Sequence, residues 1–104
     1  MENRLNKVRL DLKSILIIKD TAKKVFGDNS KVYIFGSRAD INRKGGDIDI
    51  FVETDKEISI KDEIEFLTIL EKKGLTRKVD LVVKSPNKKD KNIHKEAREK
   101  GVLL

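Results

Sequence analysis

The chain has 104 residues, no cysteine, and 24 Lys plus Arg against 18 Asp plus Glu, for a formal net charge of +6. That length fits a single domain over residues 1–104, the composition excludes a disordered chain, and the absence of cysteine excludes disulfides and thiolate metal sites. The longest apolar run, Ile15-Leu16-Ile17-Ile18, is too short for a signal core or a membrane span, so the expected location is the cytoplasm, with no membrane partner.

Residues from about Arg4 to Phe26 carry helical spacing, with Leu5, Val8, Leu12, Ile15, Leu16, Ala22, Val25 and Phe26 near one stripe. Asn3 is the expected N-cap and Gly27 the residue that ends the helix. Leu10 and Ile17 fall off the stripe, which suits a partner contact or a break between two shorter helices. After the turn residues Asp28-Asn29-Ser30, Val32-Tyr33-Ile34-Phe35 reads as a short buried strand ending at Gly36. A loop through Asn42-Arg43-Lys44-Gly45-Gly46 leads to Asp47–Glu53, which alternates: Ile48, Ile50 and Val52 face one way, Asp47, Asp49, Phe51 and Glu53 the other.

Ser59-Ile60-Lys61-Asp62 has the form of a capping box with Asp in the last place. The helix it opens is expected to bury Ile60, Ile64, Leu67 and Leu70 and to stop at Gly74. Lys78–Val83 is a third strand, with Val79, Leu81 and Val83 on one face and Asp80 on the other. A last helix runs from about Asp90 to Lys100, with Ile93 and Ala97 on one side, followed by an apolar tail, Val102-Leu103-Leu104. This order implies an α/β (α+β) fold with one small sheet and helices packed on one face. The pattern does not set the strand order.

Three groups of residues point to chemistry. A strand ending in Gly36, with Ser37 and Arg38 at a helix start, offers free backbone donors, a hydroxyl and a guanidinium to a phosphate. The same residues also make an ordinary turn and N-cap. Asp47 and Asp49, at i and i+2, project from one strand face, where like charges repel unless a cation lies between them. A wet edge strand is the alternative. Oxygen-only donors favour Mg²⁺ or Mn²⁺ over Zn²⁺. Asp80 interrupts an apolar strand and calls for a partner, either a third position on the same cation or an ion pair with Lys78 or Arg77. His94, the lone histidine, reads as surface or packing, and Tyr33 as core-facing or sheet-packed. The late lysines and Arg98 read as a solvated basic face. With little aromatic interleaving, nucleic acid is not an expected partner.

Together, Ile34-Phe35-Gly36-Ser37-Arg38-Ala39, Gly46-Asp47-Ile48-Asp49-Ile50-Phe51-Val52 and the later Asp80 resemble the nucleotidyltransferase superfamily that includes DNA polymerase beta. They look most like the minimal nucleotidyltransferases, many of which are paired with HEPN proteins in toxin–antitoxin modules. The ending, Ile93-His94-x-Glu96-Ala97 and Gly101-Val102-Leu103, resembles that subfamily too, so the likeness spans roughly Val25 to Leu104. Relatives often continue Gly-Ser-Arg-Ala-Arg-Gly, whereas Asp40 and Ile41 follow Ala39 here, which removes a basic residue from the phosphate or partner side.

The resemblance implies a small mixed β-sheet of the polymerase beta palm type. It also implies a transfer assisted by two Mg²⁺ ions (Mn²⁺ as a substitute), with Asp47, Asp49 and Asp80 as catalytic and metal-binding residues. Asp80 would also help deprotonate the acceptor. Gly36, Ser37 and Arg38 would bind the phosphates of a nucleoside triphosphate, ATP by likeness. The implied reaction moves AMP to a hydroxyl, in such modules a tyrosine of a HEPN toxin, so that the chain acts as antitoxin. The other reading of the same likeness is an antitoxin that neutralises its partner by binding alone.

Overall fold

The computed structural model describes residues 11–35, 48–75, 78–87 and 91–104. Its elements in chain order are α1 (Leu12–Phe26), β1 (Lys31–Phe35), β2 (Ile48–Glu53), α2 (Ile60–Lys72), β3 (Val79–Lys84), α3 (Asn92–Lys100) and β4 (Val102–Leu103).

The first helix is shorter than its spacing suggests. Asp11 is extended, at φ −74° and ψ 160°, and its carboxylate accepts from the Ser14 N–H at 3.3 Å, so Asp11 caps a helix that starts at Leu12. A single helix from Arg4 to Phe26 is not formed, and Asn3, Leu5, Val8 and Leu10 lie outside the described residues. Gly27 ends the helix at φ 103°, a conformation that a side chain resists. The buried arc of α1 runs through Ile15, Ile18, Thr21, Ala22, Val25 and Phe26. It is rotated away from Leu12 and Leu16, which are 62% and 50% exposed, while Ile17 packs on its margin. Thr21 satisfies its buried hydroxyl by donating to the Ile17 carbonyl at 2.7 Å.

In α2 the capping box forms as expected. Asp62 N–H donates to Ser59 Oγ at 3.2 Å, and Ser59 N–H donates to Asp62 Oδ2 at 2.9 Å. The buried residues are Phe66 and Leu70, with Leu67 half-buried. Ile60 and Ile64, expected inside, are 76% and 57% exposed, because they lie about 120° round the helix from Phe66 and Leu70. Phe66 meets Phe26 of α1 with ring centroids 5.0 Å apart, joining the two helices over the sheet.

The sheet has the order β3-β2-β1-β4. β1 pairs antiparallel with both β2 and β4, whereas β2 and β3 are parallel, so the sheet is mixed. A parallel pair needs a crossover, and α2 supplies it. Val32 and Ile34 of β1, Ile48, Ile50 and Val52 of β2 and Val83 of β3 share one core with α1 and α2. Helices on one face therefore describes α1 and α2. The last helix covers the opposite face, where Phe51 is fully buried beneath His94. The tail is also more than apolar: Val102 and Leu103 form an edge strand opposite Ile34 and Tyr33. A Cβ at Gly101 would run into the Ala97 carbonyl and press on Tyr33, so glycine lets the chain leave α3 and lie against β1 at once.

The capping box makes the start of α2 acid-sensitive. Hydrogen bonds from Ser59, first its backbone N–H and then its hydroxyl, hold the Asp62 carboxyl below the ordinary aspartate value. A depressed folded-state pKa gives stability that is present above the unfolded value and lost as pH falls through the folded one. Wild type is therefore expected to be more stable than Asp62→Asn at neutral pH, with the gap closing below about pH 4. Thermal unfolding of both proteins across that range checks this, and a gap independent of pH would contradict it.

Candidate functional site

The strand register decides which polar side chains meet. Asp49 of β2 is opposite Asp80 of β3 in the parallel ladder and opposite Phe35 of β1 in the antiparallel one. Neighbouring strands lie about 4.8 Å apart, and paired residues share a face. The two carboxylates therefore stand side by side, on the face turned away from Ile48 and Ile50. Asp49 is half-buried and Asp80 is exposed. Despite the apolar context of its strand, Asp80 stands on the solvent side. One face of β3 packs into the core while the other, with Asp80, meets solvent, and no ion pair joins Asp80 to Lys78 among the described residues.

Gly36, Ser37, Arg38 and Asp47 lie outside the described residues, as does Arg77. Two of them, Gly36 and Asp47, are chain neighbours of described strand residues beside the acidic pair. Gly36 follows Phe35, which is registered on Asp49, and Asp47 precedes Ile48, whose N–H donates to the Lys78 carbonyl at 2.9 Å. Among the described residues no set of three or more His, Cys, Asp or Glu side chains converges on one point. Two adjacent carboxylates without nitrogen or sulfur donors nevertheless suit a hard divalent cation, since Mg²⁺ is commonly held by one or two carboxylates with substrate phosphates and water completing its shell.

Behind this row the sheet is sealed by α3. The Phe51 ring, two residues beyond Asp49 and on the same face, stacks on His94 with centroids 5.7 Å apart and meets Tyr33 at 5.6 Å. The Arg98 guanidinium carbon lies 6.0 Å from the Phe51 centroid, and Arg98 Nε is 2.9 Å from Glu53 Oε2. His94 is 4% exposed and its Nδ1 accepts the Lys91 N–H at 3.0 Å. A backbone amide can only donate, so in the neutral ring Nε2 carries the proton. His94 thus takes the place that Glu or Gln fills at the third position of a capped helix. The packing reading of the lone histidine was open to sequence; its capping role was less so, because Lys91 gives no side-chain cap to mark the helix start. Of the two expectations for Tyr33, sheet-packed holds: it is half-buried against Phe51 and outside the core shared with α1 and α2.

The sequence model of a family described as "Polymerase beta, Nucleotidyltransferase" matches residues 17–104, most of the chain. Comparison with curated proteins gives no significant match. The matched segment contains every described strand and the acidic pair, and the mixed sheet of four strands with three helices among the described residues agrees with that fold.

The two tasks of His94, stacking and capping, are separable by substitution. His94→Ala is expected to lose about 1–3 kcal/mol of stability, and His94→Gln, which keeps an acceptor for the Lys91 N–H, to recover part of that loss. Urea unfolding of the three proteins checks the ranking, and equal losses in both variants would deny the capping role.

Proposed function

The chain belongs to the polymerase beta-type nucleotidyltransferase family, and on that premise we propose that it transfers AMP from ATP to a hydroxyl of a partner protein, in a reaction requiring Mg²⁺. The observation that carries this reading is the register of Asp49 on Asp80, which brings two acidic side chains from different parts of the chain into one row beside the end of β1. Asp47, the chain neighbour of Ile48, is the third carboxylate of the proposed site. Gly36 and Ser37 hold the β- and γ-phosphates through backbone N–H groups and a hydroxyl, and Arg38 adds a charged donor.

In the transfer, the acceptor oxygen bonds to the α-phosphorus as the bond to the pyrophosphate oxygen breaks. The hydroxyl proton passes to the Asp80 carboxylate, whose exposure leaves it open to an incoming protein. Asp47 and Asp49 would hold the cation against which the triphosphate is positioned, with the leaving oxygen in line with the acceptor. Mg²⁺, when bound by the three aspartates, supplies charge neutralisation for the phosphates and the leaving group. The acceptor in this reading is a tyrosine of a HEPN-type toxin, and its modification is the antitoxin activity.

A second reading, neutralisation by binding without transfer, is favoured by the apolar side chains left outside on two helices, Leu12 and Leu16 on α1 and Ile60 and Ile64 on α2. A transfer assay separates the two. Wild type and Asp49→Ala are each given Mg²⁺, labelled ATP, CTP, GTP or UTP, and the product of any adjacent toxin-like gene. The transfer reading predicts label from ATP on the partner with wild type, and a loss of more than about 100-fold with Asp49→Ala. No label from any nucleotide, with equal partner binding by both proteins, would leave binding as the function.

A further inference from the structure

At the end of the sheet remote from Asp49 and Asp80, α1, the start of β1 and the end of the chain enclose a cleft of about 230 Å³. Its lining includes Lys19, Lys23, Lys31, Val32, Leu103 and Leu104. The floor is aliphatic: Val32 is buried and Leu104 packs on the core, with its N–H donating to the Val32 carbonyl at 2.8 Å. The rim is cationic, and among the described residues none of the three lysines takes part in an ion pair. The negative end of the α1 dipole accounts for Lys23, in its last turn. It does not account for Lys19, further back, or for Lys31, across the turn.

The cleft borders a strand edge. β4 is the last strand of the sheet and pairs with β1 on one side; among the described residues no strand pairs with the other. Because the Leu104 N–H points inward to Val32, the alternation of an antiparallel ladder turns the N–H and C=O of Leu103 outward. An outward main-chain donor and acceptor beside an aliphatic floor suit an added extended peptide, whose alternate side chains enter the cleft and face its rim. Three ammonium groups on apolar stems select acidic residues for the rim positions. The lining has neither Arg nor an aromatic ring, the groups that grip phosphates bidentately or stack bases, which argues against a nucleic-acid strand.

We propose that this cleft is a docking site for an extended segment of a partner protein in which acidic and aliphatic residues alternate, added along β4. Its occupancy is independent of nucleotidyl transfer, so binding is measurable in wild type and in Asp49→Ala alike.

The test uses fluorescence anisotropy with a fluorescein-labelled octapeptide of alternating Glu and Val, beside a Lys–Val octapeptide and an eight-residue oligothymidylate. Amide NMR spectra locate the contact. The expected result is saturable binding of the Glu–Val peptide by both proteins, weakened by salt, with the largest shifts at Lys19, Lys23, Lys31 and Leu103. Lys19→Gln/Lys23→Gln, a mild change on the helix surface, is expected to weaken it at least about tenfold, or 1.4 kcal/mol, with unfolding curves confirming that the variant is folded. Absence of saturable binding, shifts confined to another surface, unchanged affinity in the double variant, or tighter binding of the oligothymidylate in the cleft would each overturn the proposal. Loss of transfer in Asp49→Ala with peptide binding intact would leave the cleft standing whatever becomes of the acidic pair.

Discussion

The in-register parallel pairing of β2 with β3 is the constraint on which the acidic site depends. From Ile48 opposite Val79 to Glu53 opposite Lys84, the two strands match residue for residue. Ile48, Ile50 and Val52 on one strand and Val79, Leu81 and Val83 on the other point to the same core. A slip of one residue would turn one of these sets out to solvent and send its aspartate into the apolar layer. Burial of six aliphatic side chains thus fixes the relative position of two charged ones. Asp49 and Asp80 are set side by side because the hydrophobic face decides the register.

β2 can serve as this platform because it is covered on both sides. Ile50, Phe51 and Val52 are all fully buried, which a sheet with helices on a single face would not allow. On the α1 and α2 side, the Thr54 hydroxyl donates to the Phe26 carbonyl at 2.6 Å, pinning the end of the strand to the end of a helix. On the other side His94 and Arg98 close over Phe51, and Arg98 reaches Glu53. Rigid coverage of Phe51 and Glu53 leaves Asp49 as the β2 residue of that face nearest the open row with Asp80. Positioning of charge by a strand held from two sides is what a transfer reaction asks of so small a protein.

Much of this was legible in the residues themselves. Alternation along 48–53 and 79–83 gives the correct faces, and Gly27, Ser59 with Asp62, and Gly74 mark helix ends close to where they occur. What eluded the sequence is tertiary. The rotation of α1 and α2 about their axes leaves Leu12, Leu16, Ile60 and Ile64 outside, and an apolar stripe broad enough to include them does not say which edge meets the sheet. The pairing of Val102 and Leu103 with β1 is too short to leave a periodic signal, and the side taken by α3 follows from Phe51 having an aromatic face to cover. For the site, Asp49 and Asp80 were recognisable as candidates, but their adjacency is a property of strand order, which local spacing does not encode. Gly36, Ser37, Arg38 and Asp47 were recognisable as candidates in the same way, with roles supplied by family likeness, and they lie outside the described residues.

If the proposed function holds, Asp49 and Asp80 form one cation-binding row at the β1 end. Paramagnetic broadening by substoichiometric Mn²⁺, read on backbone amide signals, tests it without any substrate or partner. The strongest broadening is expected at Phe35, Asp49 and Asp80, with Glu53 and Lys84, about 13 Å further along the same strands, affected much less, and the effect is expected to be lost in Asp80→Asn. Broadening centred on Glu53, or signals indifferent to Mn²⁺, would contradict it.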